Sequence, residues 1–147
     1  MALQASTGLR NKLLDTNSLR SIFNLGFLEI YGGSVPTSPD GSISGSTLLV
    51  RISNNNTATG LTFAASAASG AITKNLSETW SKAAAAAGTA TFWRFVAAGD
   101  TGVLSTTEAR IQGTIGLAGA DLNTTSLSYT SATVYTIDAF AISLPSL

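Results

Sequence analysis

From residue 27 onward, apolar and polar residues alternate in short segments that glycine, proline, asparagine and serine interrupt. Period-two alternation places successive side chains on opposite faces of a strand, and turn signals about every ten residues are typical of antiparallel β-sandwiches. The sequence therefore predicts a mainly β fold, an antiparallel β-sandwich of seven or eight strands with jelly-roll or immunoglobulin-like Greek-key connections both compatible. The predicted strands cover 27–31, 48–52, 61–63, 71–73, 89–96, 111–115, 126–129 and 135–144.

The first 26 residues follow a helical rather than a strand pattern. Ser6-Thr7 is a typical helix N-cap, and the leucines after it share one helical face. We divide the chain into an N-terminal helical segment or arm, residues 1–26, and a β-sandwich domain, residues 27–147. This segment either contacts a neighbouring subunit or covers an edge of its own sheet. Its candidate interface residues are Leu9, Leu13, Leu19 and Phe23.

Other local features lead to individual expectations. The run at 34–46 contains two prolines and several glycines and serines, which predicts a long surface loop. Residues 83–87 are all alanine and favour a helix by propensity. Gly26 is expected in the left-handed conformation that ends a helix. Trp93 is expected in the core. Arg94 is expected to face solvent, and the alternatives are burial with a carboxylate or stacking on a neighbouring ring. Trp80 is expected to be half-exposed, as an interface anchor or a core plug.

Charge is scarce along the whole chain. Eight basic and eight acidic residues make 11% of the 147 positions, against about 25% in an average soluble domain. An ordinary monomer uses surface charge to stay dispersed, and zero net charge favours association. A surface of neutral serine, threonine, alanine, glycine and asparagine is typical of a subunit in a larger assembly, with other copies of itself among its partners.

The absence of histidine and cysteine narrows the possible chemistry. The usual catalytic base, the thiol nucleophile and the usual transition-metal ligands are missing. Calcium needs only oxygen ligands, but the spacing of Asp40, Asp100 and Asp121 fits turns better. We expect no enzyme activity, catalytic residue, cofactor or metal. The longest basic run is Arg10-Asn11-Lys12, and neither a signal peptide nor a membrane span is evident, so nucleic-acid and membrane partners are not expected.

Four segments together resemble a group of small proteins encoded among the virion genes of tailed bacteriophages. The resemblance spans nearly the whole chain and implies a structural virion component that is assembled in the host bacterial cytoplasm. It implies no individual functional residue. The segments that carry it are Ser6-Thr7-Gly8-Leu9-Arg10-Asn11-Lys12-Leu13-Leu14, Leu28-Glu29-Ile30-Tyr31-Gly32-Gly33-Ser34-Val35-Pro36, Thr73-Lys74-Asn75-Leu76-Ser77-Glu78-Thr79-Trp80 and Ala109-Arg110-Ile111-Gln112-Gly113-Thr114.

Three functional hypotheses follow from these observations. The first is a capsid decoration or cement protein that stabilises the phage head through contacts with the major capsid protein and with itself. The second is a tail, baseplate or head–tail connector protein whose 34–46 loop reaches an adjacent subunit. The third is a carbohydrate-binding module that stacks a sugar on Trp80.

Overall fold

The computed structural model describes residues 3–15 and 17–144, and it confirms the mainly β fold class with antiparallel sheets and two short helices. The architecture is consistent with a β-sandwich. The helices are α1 (Thr7–Leu14) and α2 (Leu19–Ile22). The strands are β1 (Gln4–Ala5), β2 (Phe27–Gly33), β3 (Ser46–Asn54), β4 (Ala71–Thr73), β5 (Trp80–Ala83), β6 (Gly88–Val96), β7 (Arg110–Gly116), β8 (Leu122–Asn123), β9 (Ser128–Tyr129), β10 (Val134–Ile137) and β11 (Ala141–Ser143).

Nine strands form one sheet, in the order β1-β7-β6-β2-β3-β5-β10. Strand β8 pairs in parallel with β7, and β9 pairs with β6. Strands β4 and β11 make a separate antiparallel pair. The centre of the large sheet is β7-β6-β2-β3, the four longest strands, and these coincide with the strongest alternating segments of the sequence.

One face of the central strands carries the hydrophobic core. Alternation turns Leu28 and Ile30 of β2, and Trp93 and Phe95 of β6, toward this face. Trp93 is almost fully buried, as the sequence predicts. Its cross-strand partner Gly113 makes room for the indole ring, because a Cβ atom there would lie 2.6 Å from Trp93 Cζ2. Six aromatic side chains of the core form one connected cluster, each with a ring neighbour within 6.3 Å: Phe23, Phe63, Trp80, Trp93, Phe95 and Phe140.

Three local predictions differ from the structure. Residues 84–87 are not helical, because the N–H groups of Ala84 and Ala85 donate to Thr133 and Leu49 in neighbouring segments. The predicted strand at 61–63 is reduced to isolated bridges, and the one at 135–144 is interrupted at 138–140.

The helix stop also differs. The left-handed residue is Leu25, with φ of 59°, and Gly26 is not among the residues with positive φ. Gly26 instead forms a bridge with Leu61, and its N–H donates to the carbonyl of Phe23.

The N-terminal segment packs against the sandwich. Ser6 caps α1 by accepting a hydrogen bond from Leu9 N, as predicted, and β1 adds two residues to the edge of β7. Leu9 and Phe23 lie in the core, with exposures of 1% and 0%. These contacts favour the interpretation in which the segment covers its own sheet. In the described residues, neither helix is long enough to cross a bilayer.

Candidate interaction surface

The second face of the central sheet is lined by polar side chains and is also buried. Cross-strand register places Arg51 of β3, Glu29 of β2, Arg94 of β6, Gln112 of β7 and Gln4 of β1 side by side in one line. We call this line the polar row. Its three central members are almost completely inaccessible. An antiparallel sheet commonly leaves one face in water, but here both faces are covered.

Two loops, residues 34–45 and 97–109, cover the polar row. Side chains of β6 and β7 donate hydrogen bonds to three carbonyls of the first loop. These bonds satisfy backbone acceptors that the covering loop removes from water. They run from Gln112 Nε2 to Pro36 O (2.8 Å), from Arg94 Nη2 to Ser38 O (3.2 Å) and from Arg110 Nη1 to Pro39 O (3.1 Å).

Further contacts fix the first loop to its surroundings. The Asp40 carboxylate accepts hydrogen bonds from Thr7 N (2.9 Å) and Thr7 Oγ1 (2.6 Å), so it binds the first turn of α1. The Asp40 carbonyl accepts from Ser105 N at 2.9 Å, and Ile43 N donates to Gly102 O at 3.1 Å. The two loops are therefore bonded to each other, and the first loop is also bonded to the first turn of α1. We call the two loops the loop platform.

Burial shifts the protonation equilibria of the polar row. It raises the pKa of Glu29 above the ordinary value of 4.5, and the hydrogen bond from Tyr31 Oη (2.5 Å) and the nearby Arg51 offset only part of that rise. Burial also lowers the pKa of Arg94 to about 10, and the positive charge of Arg110 acts in the same direction. Among the residues that the structure describes, Arg94 Nη1 finds no hydrogen-bond partner. Burial of the charged groups in the polar row is therefore electrostatically unfavourable.

An ion pair between Asp100 and Arg110 supports the other end of the platform. Arg110 Nε and Nη2 donate to the two Asp100 oxygens at 2.5 and 2.8 Å, which is a bidentate geometry. Asp100 Oδ1 also accepts from Gly102 N at 2.7 Å, and Arg110 Nη2 donates to Val103 O at 2.8 Å. Because neither side chain is accessible to water, each charge depends on the other.

Burial of these groups leaves the outside of the molecule poorer in charge than its composition suggests. Five of the sixteen charged residues are buried, and only five are fully exposed; the remaining six are half-buried. The buried ones are Glu29, Lys74, Arg94, Asp100 and Arg110. The exposed ones are Arg10, Asp15, Arg20, Asp121 and Asp138.

Two exposed apolar side chains belong to the loop platform. Val103 and Leu104 are exposed by 59% and 73%, and they follow Gly102, whose backbone touches Ile43 of the first loop. Their backbone is held in place by the ion pair beneath, since Val103 O accepts from Arg110. A fixed, exposed apolar pair beside neutral loops is a candidate contact surface for another protein.

The predicted interface residues lie mainly inside the molecule. Leu9, Phe23 and Trp80 are buried, while Leu13 and Leu19 are half-buried and pack against the core. The expectation of a half-exposed Trp80 is wrong: its exposure is 0%, its ring packs on Phe63, and its Nε1 donates to Glu78.

The expectation of a solvated Arg94 is also wrong, because the first loop covers it. The sequence carried a signal for the polar row. Glu29, Arg51, Arg94 and Gln112 each stand alone between apolar neighbours in the middle of a strand. That pattern fits either a solvated face or a covered polar row, and only the position of the loops distinguishes the two.

The three aspartates considered for calcium have protein partners instead. Asp40 binds Thr7, Asp100 binds Arg110, and Asp121 accepts hydrogen bonds from Thr114 N and Oγ1, both at 2.8 Å. Over residues 3–15 and 17–144, no three acidic side chains are grouped so that they could hold a metal ion.

Comparisons with known proteins found no match to a family model, to a curated protein or to a solved structure.

Proposed function

We propose that this chain is a structural subunit of a virion, and that it decorates and stabilises the phage capsid. The observation that carries the proposal is the location of the charges: five are used inside the fold and only five are fully exposed. A neutral exterior loses little solvation free energy when another protein covers it, so modest contacts are enough to hold a subunit on a shell. The resemblance to phage virion proteins supplies the kind of assembly.

The loop platform is the surface we assign to the contact with the shell. Val103 and Leu104 supply apolar area, and the bonds from Arg94, Gln112 and Arg110 keep the loops in one conformation before binding. Pre-ordering reduces the entropy lost on association.

The test has two parts. Immunogold labelling of purified particles should place the protein over the head; label confined to the tail would replace this proposal by the tail, baseplate or connector alternative. Binding of the purified chain to particles that lack it should then fall by about tenfold or more when Val103 and Leu104 are both changed to lysine, because two charges would be desolvated at the contact.

A matched control separates this surface from a general effect of added charge. Leu14 is 85% exposed and lies at the end of α1, outside the platform. Leu14→Lys should bind particles like the wild type. Equal loss of binding in the control, or unchanged binding in the platform variant, would contradict the assignment. A chain that stays monomeric at millimolar concentration and binds no particle would contradict the whole proposal.

The carbohydrate-binding alternative loses its structural basis. It depended on an indole face open to a sugar, and both Trp80 and Trp93 are buried in the core.

A further inference from the structure

The large sheet is open along one line. Strand β10 is the last strand in the sheet order, and β8 extends the opposite end by pairing with β7. A groove separates the two ends: residues 134–141 form one wall and residues 121–126 form the other. It consists of two stretches of about 500 and 440 Å³ that share Asn123, Asp138 and Ala139. We call it the sheet groove.

Strand β10 presents unpaired backbone groups to this groove. The Ser81 carbonyl accepts from Asn56 N on the β3 side, so alternation along β5 directs the backbone groups of Trp80 and Lys82 toward β10. Their register partners are Ile137 and Tyr135. The N–H and C=O groups of the intervening Val134 and Thr136 therefore face away from β5. In the described part of the chain, β10 has no strand partner other than β5.

Apart from its length of four residues, this edge lacks the features that normally prevent strand addition. Natural edge strands are protected by charge, proline, bulges or a covering segment. The four residues of β10 are Val-Tyr-Thr-Ile, all with high β-propensity and none charged, and the side chains of Val134 and Thr136 are exposed. An extended chain in the sheet groove would pair with β10 along one side and meet β8 on the other, closing the open sheet.

Two observations indicate which kind of segment would fit the sheet groove: the charged residues that line it, and the pairing of this chain's own strands. The first stretch of the groove has one charged lining residue, Asp138, and the second adds Asp121 and Lys74. A neutral strand with one basic residue near the aspartates fits these walls. Within residues 3–15 and 17–144, β1 is paired with β7 and β11 with β4, so a second copy would have to use its own β10 edge. The charged residue beside that edge is again an aspartate, Asp138, which does not complement the aspartates of the groove.

We propose that the sheet groove is an acceptor site for an extended strand of a different polypeptide, neutral except for one basic residue, bound by β-augmentation. The proposal deepens the proposed function, on which it rests for the source of that strand, because it names the kind of segment that another virion protein would contribute.

The experiment uses an eight-residue peptide that alternates valine with threonine and carries one terminal lysine. Fluorescence anisotropy measures its binding to the full chain, and amide hydrogen exchange followed by NMR reports on Val134 and Thr136. We expect saturable binding that slows exchange at both amides. Thr136→Pro removes a groove-facing N–H while keeping the bonds to β5, so it should weaken binding by about tenfold or more.

Thr136→Val is the matched control, since it keeps the N–H and the β-branched shape. It should bind within about twofold of the wild type, and the melting temperatures of both variants should show that they remain folded. Absence of saturable binding at millimolar peptide, or equal binding by Thr136→Pro, would overturn the proposal. Protection of Val134 and Thr136 that increases with the concentration of the protein alone would also overturn it, by identifying a second copy as the occupant.

The same amides distinguish this inference from the proposed function. If the chain joins the particle while Val134 and Thr136 exchange as in the free protein, the groove proposal fails and the virion proposal stands. If the chain joins no particle, the virion proposal fails and the peptide result alone decides on the groove.

Discussion

Both faces of the central sheet are buried at their centre, but they are held by different forces. On one face, Trp80, Phe95 and Phe140 pack ring against ring. On the other face, charged and amide side chains bind loop carbonyls through directed hydrogen bonds. The aromatic face supplies stability in proportion to its buried area, whereas the polar face fixes the position of the loops at an electrostatic cost.

The largest effect should come from the aromatic face. Trp80→Ala removes a fully buried indole, and we expect it to lower the free energy of unfolding by about 3–5 kcal/mol. Urea denaturation followed by circular dichroism measures the change. Trp80→Phe keeps a ring beside Phe63, so it should lower the free energy of unfolding clearly less than Trp80→Ala does. A loss below about 1 kcal/mol in the alanine variant would mean that this face is not the main source of stability.

On the polar face, removing one partner of the buried ion pair should lower the free energy of unfolding more than replacing both partners by apolar residues. Asp100→Leu leaves the Arg110 charge buried without its partner, and we expect a loss of about 3 kcal/mol or more. Adding Arg110→Met to the same chain should recover most of that loss. If the double variant is as unstable as the single one, the hydrogen bonds of Arg110 to the loop carbonyls dominate over its charge.

The next test concerns the junction between α1 and the sheet. The Ser6 hydroxyl accepts from Leu9 N and Arg110 N and donates to Glu108 O, all within 3.1 Å. Ser6→Ala should therefore reduce the free energy of unfolding by about 1–2 kcal/mol. Ser18 caps the exposed helix α2 and serves as the comparison. Ser18→Ala should lower the free energy of unfolding less than Ser6→Ala does. A larger loss in Ser18→Ala would contradict the packing of α1 described above.

The smallest effect should be a change in how the free energy of unfolding depends on pH. Because the pKa of Glu29 is raised in the folded state, folding favours its protonated form, and Glu29 costs stability increasingly as the pH rises through 4.5 and above. Glu29→Gln removes this titration while keeping an acceptor for Tyr31. The stability of the variant relative to the wild type should therefore increase between pH 4 and pH 7. A difference that decreases over this range would contradict the raised pKa.

The comparison of faces also explains what could be predicted from the sequence. The strands β2, β3, β6 and β7 and the Ser6 cap were evident, because alternation and capping are local signals. The burial of Arg94 was not evident, since an isolated polar residue in a strand has the same pattern whether water or a loop covers it. Trp80 was misjudged for a similar reason: its polar neighbours Glu78 and Ser81 suggested a surface, yet Glu78 turns inward to accept from the indole.

The alanine run shows the opposite error. Residues 83–87 have high helix propensity, but Ala83 ends β5, and the N–H groups of Ala84 and Ala85 donate to Thr133 and Leu49 in neighbouring segments. Tertiary hydrogen bonds outweighed a propensity that amounts to tenths of a kcal/mol per residue.

The tethering of the 34–45 loop has a consequence for engineering. Long loops are the usual sites for inserting tags or foreign epitopes, but this one is held by the side chains of two β-strands and by α1, so an inserted peptide would separate three carbonyls from their donors. Residues 65–70 are all exposed, and the hydrogen bonds that reach them from distant residues end at the two outer carbonyls, those of Ala65 and Gly70. An insertion between these two residues would therefore leave the large sheet and the polar row in place.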